Sequence, residues 1–166
     1  MKPRILIFAY GNPSRGDDAL GPLLLERLEP RLPPPAACPV SLELLTDFQL
    51  QIEHTLDIPG REAVVFVDAH ASCPPPYRFQ AIEPAPTRSY TTHALTPEAL
   101  LRVFQEVHPA TPLPPCYLLG IRGHAFELGA SLSDTAETHL QAATDWLKHL
   151  LLDTDYRQWP ERAQSP

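Results

Sequence analysis

Ile5-Leu6-Ile7-Phe8-Ala9-Tyr10-Gly11-Asn12-Pro13-Ser14-Arg15-Gly16-Asp17-Asp18-Ala19-Leu20-Gly21 decides how the rest of the chain is read. Residues 5–10 form an unbroken apolar run, the pattern of a central strand covered on both faces. Gly11-Asn12-Pro13 breaks that strand, and the period then changes. Leu20, Leu24, Leu28 and Leu32, with Leu23 beside them, recur as a helical stripe. Pro22 is tolerated only in a first turn, and Asp17 or Asp18 is placed to cap the first helical amides. In an α/β domain, ligands are held where loops leave the carboxyl ends of strands. Asp17 and Asp18 stand at that address, where adjacent carboxylates repel each other and favour a nearby cation or proton.

Downstream, strand and helix patterns alternate. Residues 40–45 mostly alternate in polarity and read as a second strand. Asp47 is placed to cap a short helix along which Phe48, Ile52 and Leu56 are four apart, ended by Pro59-Gly60. Residues 63–68 are wholly apolar until Asp68 and predict the third strand. Tyr77–Ile82 alternates, and only residues 70–76 separate it from the third strand. A parallel crossover needs about a dozen residues or more, so this strand is expected to be antiparallel. Thr96, Pro97 and Glu98 open a helix, with Leu95 and Leu100 placed as a hydrophobic staple. Leu100, Phe104 and Val107 supply its buried stripe, and His108-Pro109 ends it. Residues 117–121 form the last strand. Ser133 or Asp134 opens a long final helix with Ala136, Leu140, Ala143, Leu147 and Leu150 inward. The β-α-β-α-β-β-α-β-α order predicts an α/β fold: a three-layer α/β/α sandwich around a five-stranded, mostly parallel mixed sheet. A single domain is expected over residues 1–154, with residues 155–166 a loose polar tail.

Composition narrows the function classes. In 166 residues, 13 basic side chains face 20 acidic ones for a formal net charge of −7. Nucleic acid is therefore not expected as a partner, because phosphate binding needs a basic face. Cys38, Cys73 and Cys116 are odd in number, far apart and without a C-x-x-C pair, which suggests neither a disulfide framework nor a zinc or iron–sulfur site. The apolar run behind Met1-Lys2-Pro3-Arg4 ends at Tyr10, too short for a signal-peptide core or a membrane span. A cytoplasmic monomer is expected. The 21 prolines cluster between the periodic segments and act as punctuation.

Three chemistry-bearing residues share one address. Asp18 follows the first strand, Asp68 ends the third, and His93 precedes the third helix. If the first and third strands are parallel, both aspartates lie at one sheet edge within reach of the His93 loop. Two carboxylates and an imidazole make a borderline-hard donor set suited to nickel, zinc, manganese or iron. Taken singly, Asp18 reads equally as a helix cap, Asp68 has a lesser alternative as a plain strand end, and His93 reads better as an ordinary loop histidine than as a ligand. Their joint placement favours the site. His70 and His124 are spare candidates near the same edge, and Cys73 among Ser72 and the following prolines is expected to be inert. The chain lacks G-x-G-x-x-G spacing at residues 11–16, a P-loop lysine and a G-x-S-x-G elbow.

These residues carry a resemblance to a known family. Gly11-Asn12 through Asp17-Asp18 and Gly21, Val65-Phe66-Val67-Asp68-Ala69, Thr92-His93-Ala94-Leu95-Thr96-Pro97 and Gly129-Ala130-Ser131-Leu132-Ser133 resemble, in register, the motifs of the hydrogenase maturation proteases. These are the endopeptidases that trim the large subunit of nickel–iron hydrogenases. The resemblance implies an α/β/α sandwich in which Asp18, Asp68 and His93 are the catalytic and metal-contacting trio. It further implies that the nickel is carried by the partner, the hydrogenase large-subunit precursor, and is held only weakly by the free protein. The expected reaction is removal of a short C-terminal extension from nickel-loaded precursor. Two rivals are a non-cleaving, nickel-sensing maturation chaperone and a small-molecule metallohydrolase of similar fold. The sequence departs from the family pattern at Ala19, where glycine is usual, and at Thr46-Asp47-Phe48-Gln49-Leu50, where an acidic-glycine loop is commoner. Asp17 is assigned to loop support or helix capping, and Gln49, Glu53 and Glu127 to contact with the precursor.

Overall fold

The apolar run at the start of the chain is a central strand, β1 (Arg4–Tyr10), in a computed structural model that describes residues 1–86 and 95–163. It pairs in parallel with β2 (Ser41–Asp47) on one side and β3 (Ala63–His70) on the other. Strand β4 (Tyr77–Ile82) is antiparallel, as the short connection at residues 71–76 demands. Its partner is not β3 but β5 (Cys116–Arg122), which inserts between them in parallel with β3. The sheet order is therefore β2-β1-β3-β5-β4.

Alternation along each strand divides the interior into two cores. Ile5, Ile7, Ala9, Val65, Val67, Leu119 and Ile121 face helices α1 (Leu20–Leu28) and α3 (Asp134–Asp153). Leu6, Phe8, Tyr10, Val64, Phe66 and Cys116 face the opposite way, against α2 (Pro97–Val107) and the segment carrying Leu50 and Ile58. The expected stripe of α3 is fully inward: Ala136, Leu140, Ala143, Leu147 and Leu150 are all buried. Each such leucine contributes about 1.5–3 kcal/mol through burial. Ser133 caps α3 by accepting from the Ala136 amide at 3.2 Å, and Thr96 caps α2 by accepting from the Ala99 amide at 3.1 Å. Arg27 of α1 makes a two-pronged bond to Glu137 of α3, at 2.5 and 2.8 Å, joining the two helices of one layer.

Close approach explains two glycines. Gly21 lets the first turn of α1 sit on the strand ends: a Cβ there would lie 2.7 Å from the Val67 carbonyl oxygen and 2.8 Å from that of Tyr10. Gly11 has φ +152°, and a Cβ there would lie 2.0 Å from the Asp18 carbonyl oxygen. Ala19, by contrast, needs no glycine, since its φ of −73° is ordinary right-handed helix.

Four expectations are corrected. Phe48, Ile52 and Leu56 are 69, 60 and 70% exposed, not an inner stripe. The segment winds as a 3-10 turn over Ile52–Asp57, whose shorter period turns Thr55 inward while Leu50 and Ile58 fill the core on either side of it. Asp47 caps no helix there; its carboxylate accepts from the Phe48 amide and bonds the His54 ring. Val107, at the last turn of α2, is 55% exposed, because the stripe has rotated off the sheet by then. The chain beyond residue 154 is not loose over its described part. Asp155 caps a 3-10 turn, Tyr156–Gln158, that leads into a short helix α4 (Trp159–Arg162), and Trp159 is wholly buried with its ring edge-on to Tyr117. Polar neighbours hid that one anchor.

Trp159→Ala is expected to destabilise the protein by roughly 3–5 kcal/mol, the usual effect of deleting a large core side chain. Urea denaturation checks this: an unchanged midpoint would mean that residues 155–163 contribute nothing to the core.

Candidate active site

One face of the sheet changes character toward its carboxyl end. Leu6 and Phe8 of β1 give way to Tyr10, and Val64 and Phe66 of β3 give way to Asp68 and then His70. In register, Asp68 lies opposite Gly120 and His70 opposite Arg122, while Gly120 also faces Arg78 of β4. Because β1, β3 and β5 are parallel, these polar ends collect along one edge. The 3-10 turn Gly16–Ala19, which follows β1, brings Asp18 to the same edge.

Asp18 is half-buried, and its Oδ2 accepts from the Asn12 amide at 2.8 Å. Asp68 is also half-buried, and its pKa is pushed up to about 7. Burial is the main cause and the negative charge of Asp18 the second; hydrogen bonds from the Ala69 amide and the Tyr10 hydroxyl act in the opposite direction. Tyr10 is the residue at this edge that sequence reading passes over. Its phenol is buried beside Asp68 and donates to it, and burial together with the surrounding carboxylates of Asp68, Glu98 and Asp18 holds its pKa well above the ordinary value. The signal was available, since Tyr10 shares the strand face of Phe8 and ends β1 beside the end of β3.

Asp17 does a different job. It is wholly buried and caps no helix; the residue before α1 is Ala19, which makes no side-chain cap. Its carboxylate instead accepts from the backbone amides of His124, Ala125 and Ser133 at 2.7, 2.9 and 2.8 Å, and from the Ser133 hydroxyl at 2.8 Å. Burial pushes its pKa up, but the bonds from Ser133, Ala125 and His124 outweigh this and lower it overall. The expectation of loop support is met, and the supported loop is the one between β5 and α3.

His93 lies outside the described residues. His70 is half-buried at the end of β3, and its Nδ1 accepts from the Ser72 and Cys73 amides at 3.1 and 2.9 Å. Burial and the charges of Arg78 and Arg122 lower its pKa. Cys73 is buried with its thiol donating to the Gly120 carbonyl, and burial raises its pKa, which fits an unreactive sulfur. His124 is exposed at the side chain, and Gln49, Glu53 and Glu127 are exposed. Among the described residues, no three histidine, cysteine, aspartate or glutamate side chains are grouped closely enough to hold a metal ion, and no helix is long and apolar enough to cross a membrane. The pair that is brought together, Asp18 and Asp68, is a hard oxygen donor set whose mutual repulsion a cation would relieve.

No protein-family model matches the sequence, and no curated protein matches it significantly. Solved structures do match the fold. The NiFe hydrogenase maturation protease HycI from Thermococcus kodakarensis superposes with a TM-score of 0.67 at 24% identity, over 90% of this chain and 93% of that one. The hydrogenase maturating endopeptidase HybD from E. coli gives 0.66 at 20% identity, over 87% of this chain and 89% of its own. An endopeptidase from Escherichia coli gives 0.68 at 21% identity, over 89 and 92% of the two chains.

Asp17→Asn is expected to destabilise the fold by roughly 3 kcal/mol at neutral pH, since an amide cannot accept from all these donors. The folded-state pKa is lowered, so this stabilisation is present above the ordinary aspartate value of 3.8 and is lost as pH falls through the folded value. Urea denaturation of both proteins across acid pH should therefore show the gap closing. Asp68 has the opposite sign. Its pKa is raised from 3.8 to about 7, so stability falls as pH rises across that interval. Asp68→Asn is expected to be more stable than wild type above neutrality, by up to roughly 4 kcal/mol, and equal to it in acid. Thermal melts at several pH values measure this; a uniform destabilisation would contradict it. The described chain thus has the fold of the hydrogenase maturation proteases, with the two sequence-predicted aspartates at one edge of its sheet.

Proposed function

We propose that the chain is an endopeptidase that removes the C-terminal extension of a nickel-loaded nickel–iron hydrogenase large-subunit precursor. The observation that carries this is the pairing of Asp18 with Asp68 at the carboxyl edge of the sheet, in a fold shared with maturation endopeptidases. The four in-register motifs of the sequence add to it. In this reading the nickel arrives as part of the substrate, and Asp18, Asp68 and His93 are the residues that meet it.

The chemistry assigned to each residue follows from its surroundings. The Asn12 amide fixes one oxygen of Asp18, so the carboxylate is oriented before substrate arrives. In the free protein the pKa of Asp68 is raised to about 7, and the carboxylate that a cation draws out is assigned to take a proton from an attacking water. The Tyr10 hydroxyl orients it and remains protonated throughout. A cation presented between the two aspartates stabilises the charged form of Asp68 and favours loss of its proton. Unloaded precursor leaves the repulsion in place, which gives a physical basis for acting only after metal insertion. Exposed Gln49, Glu53 and Glu127 are assigned to the rim that the precursor covers.

The test is incubation with nickel-loaded and nickel-free precursor, with products weighed by mass spectrometry. Loss of a C-terminal peptide from the loaded form alone is expected. Asp18→Asn should abolish cleavage while leaving the circular dichroism spectrum and thermal midpoint close to wild type. Binding of loaded precursor without any mass loss would instead identify a chaperone, and a metal retained tightly by the protein alone would favour a small-molecule metallohydrolase.

A further inference from the structure

His70 is a spare histidine in the sequence pattern, yet its imidazole is held from two sides. On one edge, Nδ1 accepts from two backbone amides, Ser72 at 3.1 Å and Cys73 at 2.9 Å. An Nδ1 that accepts two N–H bonds carries no proton, so the ring's proton resides on Nε2. On the other edge the ring lies over Gly120: a Cβ at that position would come 3.3 Å from His70 Cβ and 3.4 Å from Cδ2. Glycine at 120 is therefore the seat of the imidazole. The ring is clamped with its Nε2–H edge as the remaining polar group.

The same glycine lies opposite Asp68 in the β3–β5 register. Asp68 and His70 stand two apart on one strand, so their side chains leave the same face about 7 Å from each other. Between side chains rooted that far apart there is room for a water and a peptide carbonyl. A water hydrogen-bonded to Asp68 lies about 3 Å from it, the carbonyl carbon about 3 Å further on, and the carbonyl oxygen within hydrogen-bond range of a donor on the far side.

We propose that His70 is a catalytic hydrogen-bond donor of the Asp18–Asp68 site, its Nε2–H directed at the oxygen of the scissile carbonyl. This rests on the endopeptidase reading above and deepens it. Water adds to the carbonyl carbon, its proton passes to Asp68, and the carbonyl π pair moves onto oxygen, where the Nε2–H stabilises it without being transferred. The pair then returns, the C–N bond breaks, and the leaving nitrogen takes the proton held by Asp68. The products are a new carboxyl terminus and a free amine. A fixed donor aimed at charge that develops only in the transition state accelerates the chemical step and leaves ground-state binding nearly unchanged.

A mere turn cap explains only half of the arrangement. Capping the amides of Ser72 and Cys73 needs one acceptor near Cβ, which asparagine supplies as well as histidine does. Only the imidazole adds an N–H at the opposite edge. This difference defines the experiment. His70→Asn keeps the acceptor and removes the far donor, while His70→Gln restores an amide N–H near the position of Nε2. Steady-state cleavage of nickel-loaded precursor is measured together with the thermal midpoint of each protein.

His70→Asn is expected to lose about 100-fold in kcat, with KM within about twofold and the thermal midpoint nearly unchanged, and His70→Gln to recover part of the kcat loss. Wild-type kcat in His70→Asn overturns the proposal, as does a loss confined to KM or accompanied by a fall in thermal midpoint. Equal kcat in the two variants also counts against it. A wild-type protein that leaves every loaded precursor intact overturns the endopeptidase reading and this inference with it, so the two failures appear in different samples.

Discussion

The buried carboxylate of Asp17 is the constraint on which the working edge of the molecule depends. Its donors come from Ser133, Ala125 and His124, residues more than a hundred positions away along the chain. It therefore closes a clasp between the turn after β1, the loop after β5 and the start of α3. The Asp17 amide adds a bond to the Ala125 carbonyl at 2.7 Å, so the residue is tied through backbone and side chain alike. Ser133 serves both Asp17 and the Ala136 amide, which couples the clasp to the first turn of the longest helix. Asp18 is the next residue. Its position is inherited from this clasp, and an anchored neighbour is what allows a half-buried carboxylate to be held against Asp68.

Asp17 in this turn and Asp68 at the end of β3 show how environment divides identical side chains. Asp17 is stabilised as an anion by donated bonds, whereas Asp68, buried and facing Asp18, disfavours its own charge. A folded protein gains from the first and loses from the second. The loss is concentrated where the proposed chemistry occurs, as is usual for sites whose residues are tuned for proton transfer and not for stability. Tyr10 moderates it by hydrogen bonding to Asp68 while remaining neutral itself.

Much of the architecture was legible in the residues, and the failures have physical causes. The β1 run, the cap-and-stripe pattern of α3 and the short connection forcing β4 antiparallel all depend on local rules that the tertiary structure did not override. The 3-10 segment after β2 misled because a spacing of four implies an α-helix only when the chain actually winds with that period. Trp159 was missed because a single buried ring carries no periodicity. At the site, Asp18 and Asp68 were found from topology, since parallel strands bring their carboxyl ends together. Tyr10 and His70 required register: one acts through its neighbour on the next strand, and the other matters through a glycine on β5 that makes room for it. His93 lies outside the described residues, so its place in the trio rests on the sequence resemblance.

The strand order carries a consequence for how the chain assembles. β1, β2 and β3 are contiguous both in sequence and in space, so their parallel pairing can begin as soon as residue 70 is available. β4 follows directly but bonds only β5, whose last residue is Arg122. During synthesis, which runs from the amino terminus, the backbone groups of residues 77–82 must wait for another forty residues to emerge. The edge of β3 that will hold β5 is open over the same interval, and β4 is the nearest strand able to occupy it wrongly. Prolines at 74–76, immediately before β4, are poor partners for such an edge because they offer no N–H. The edge strand β4 is thus made before the strand it needs, and the sheet closes only when β5 inserts between β3 and β4.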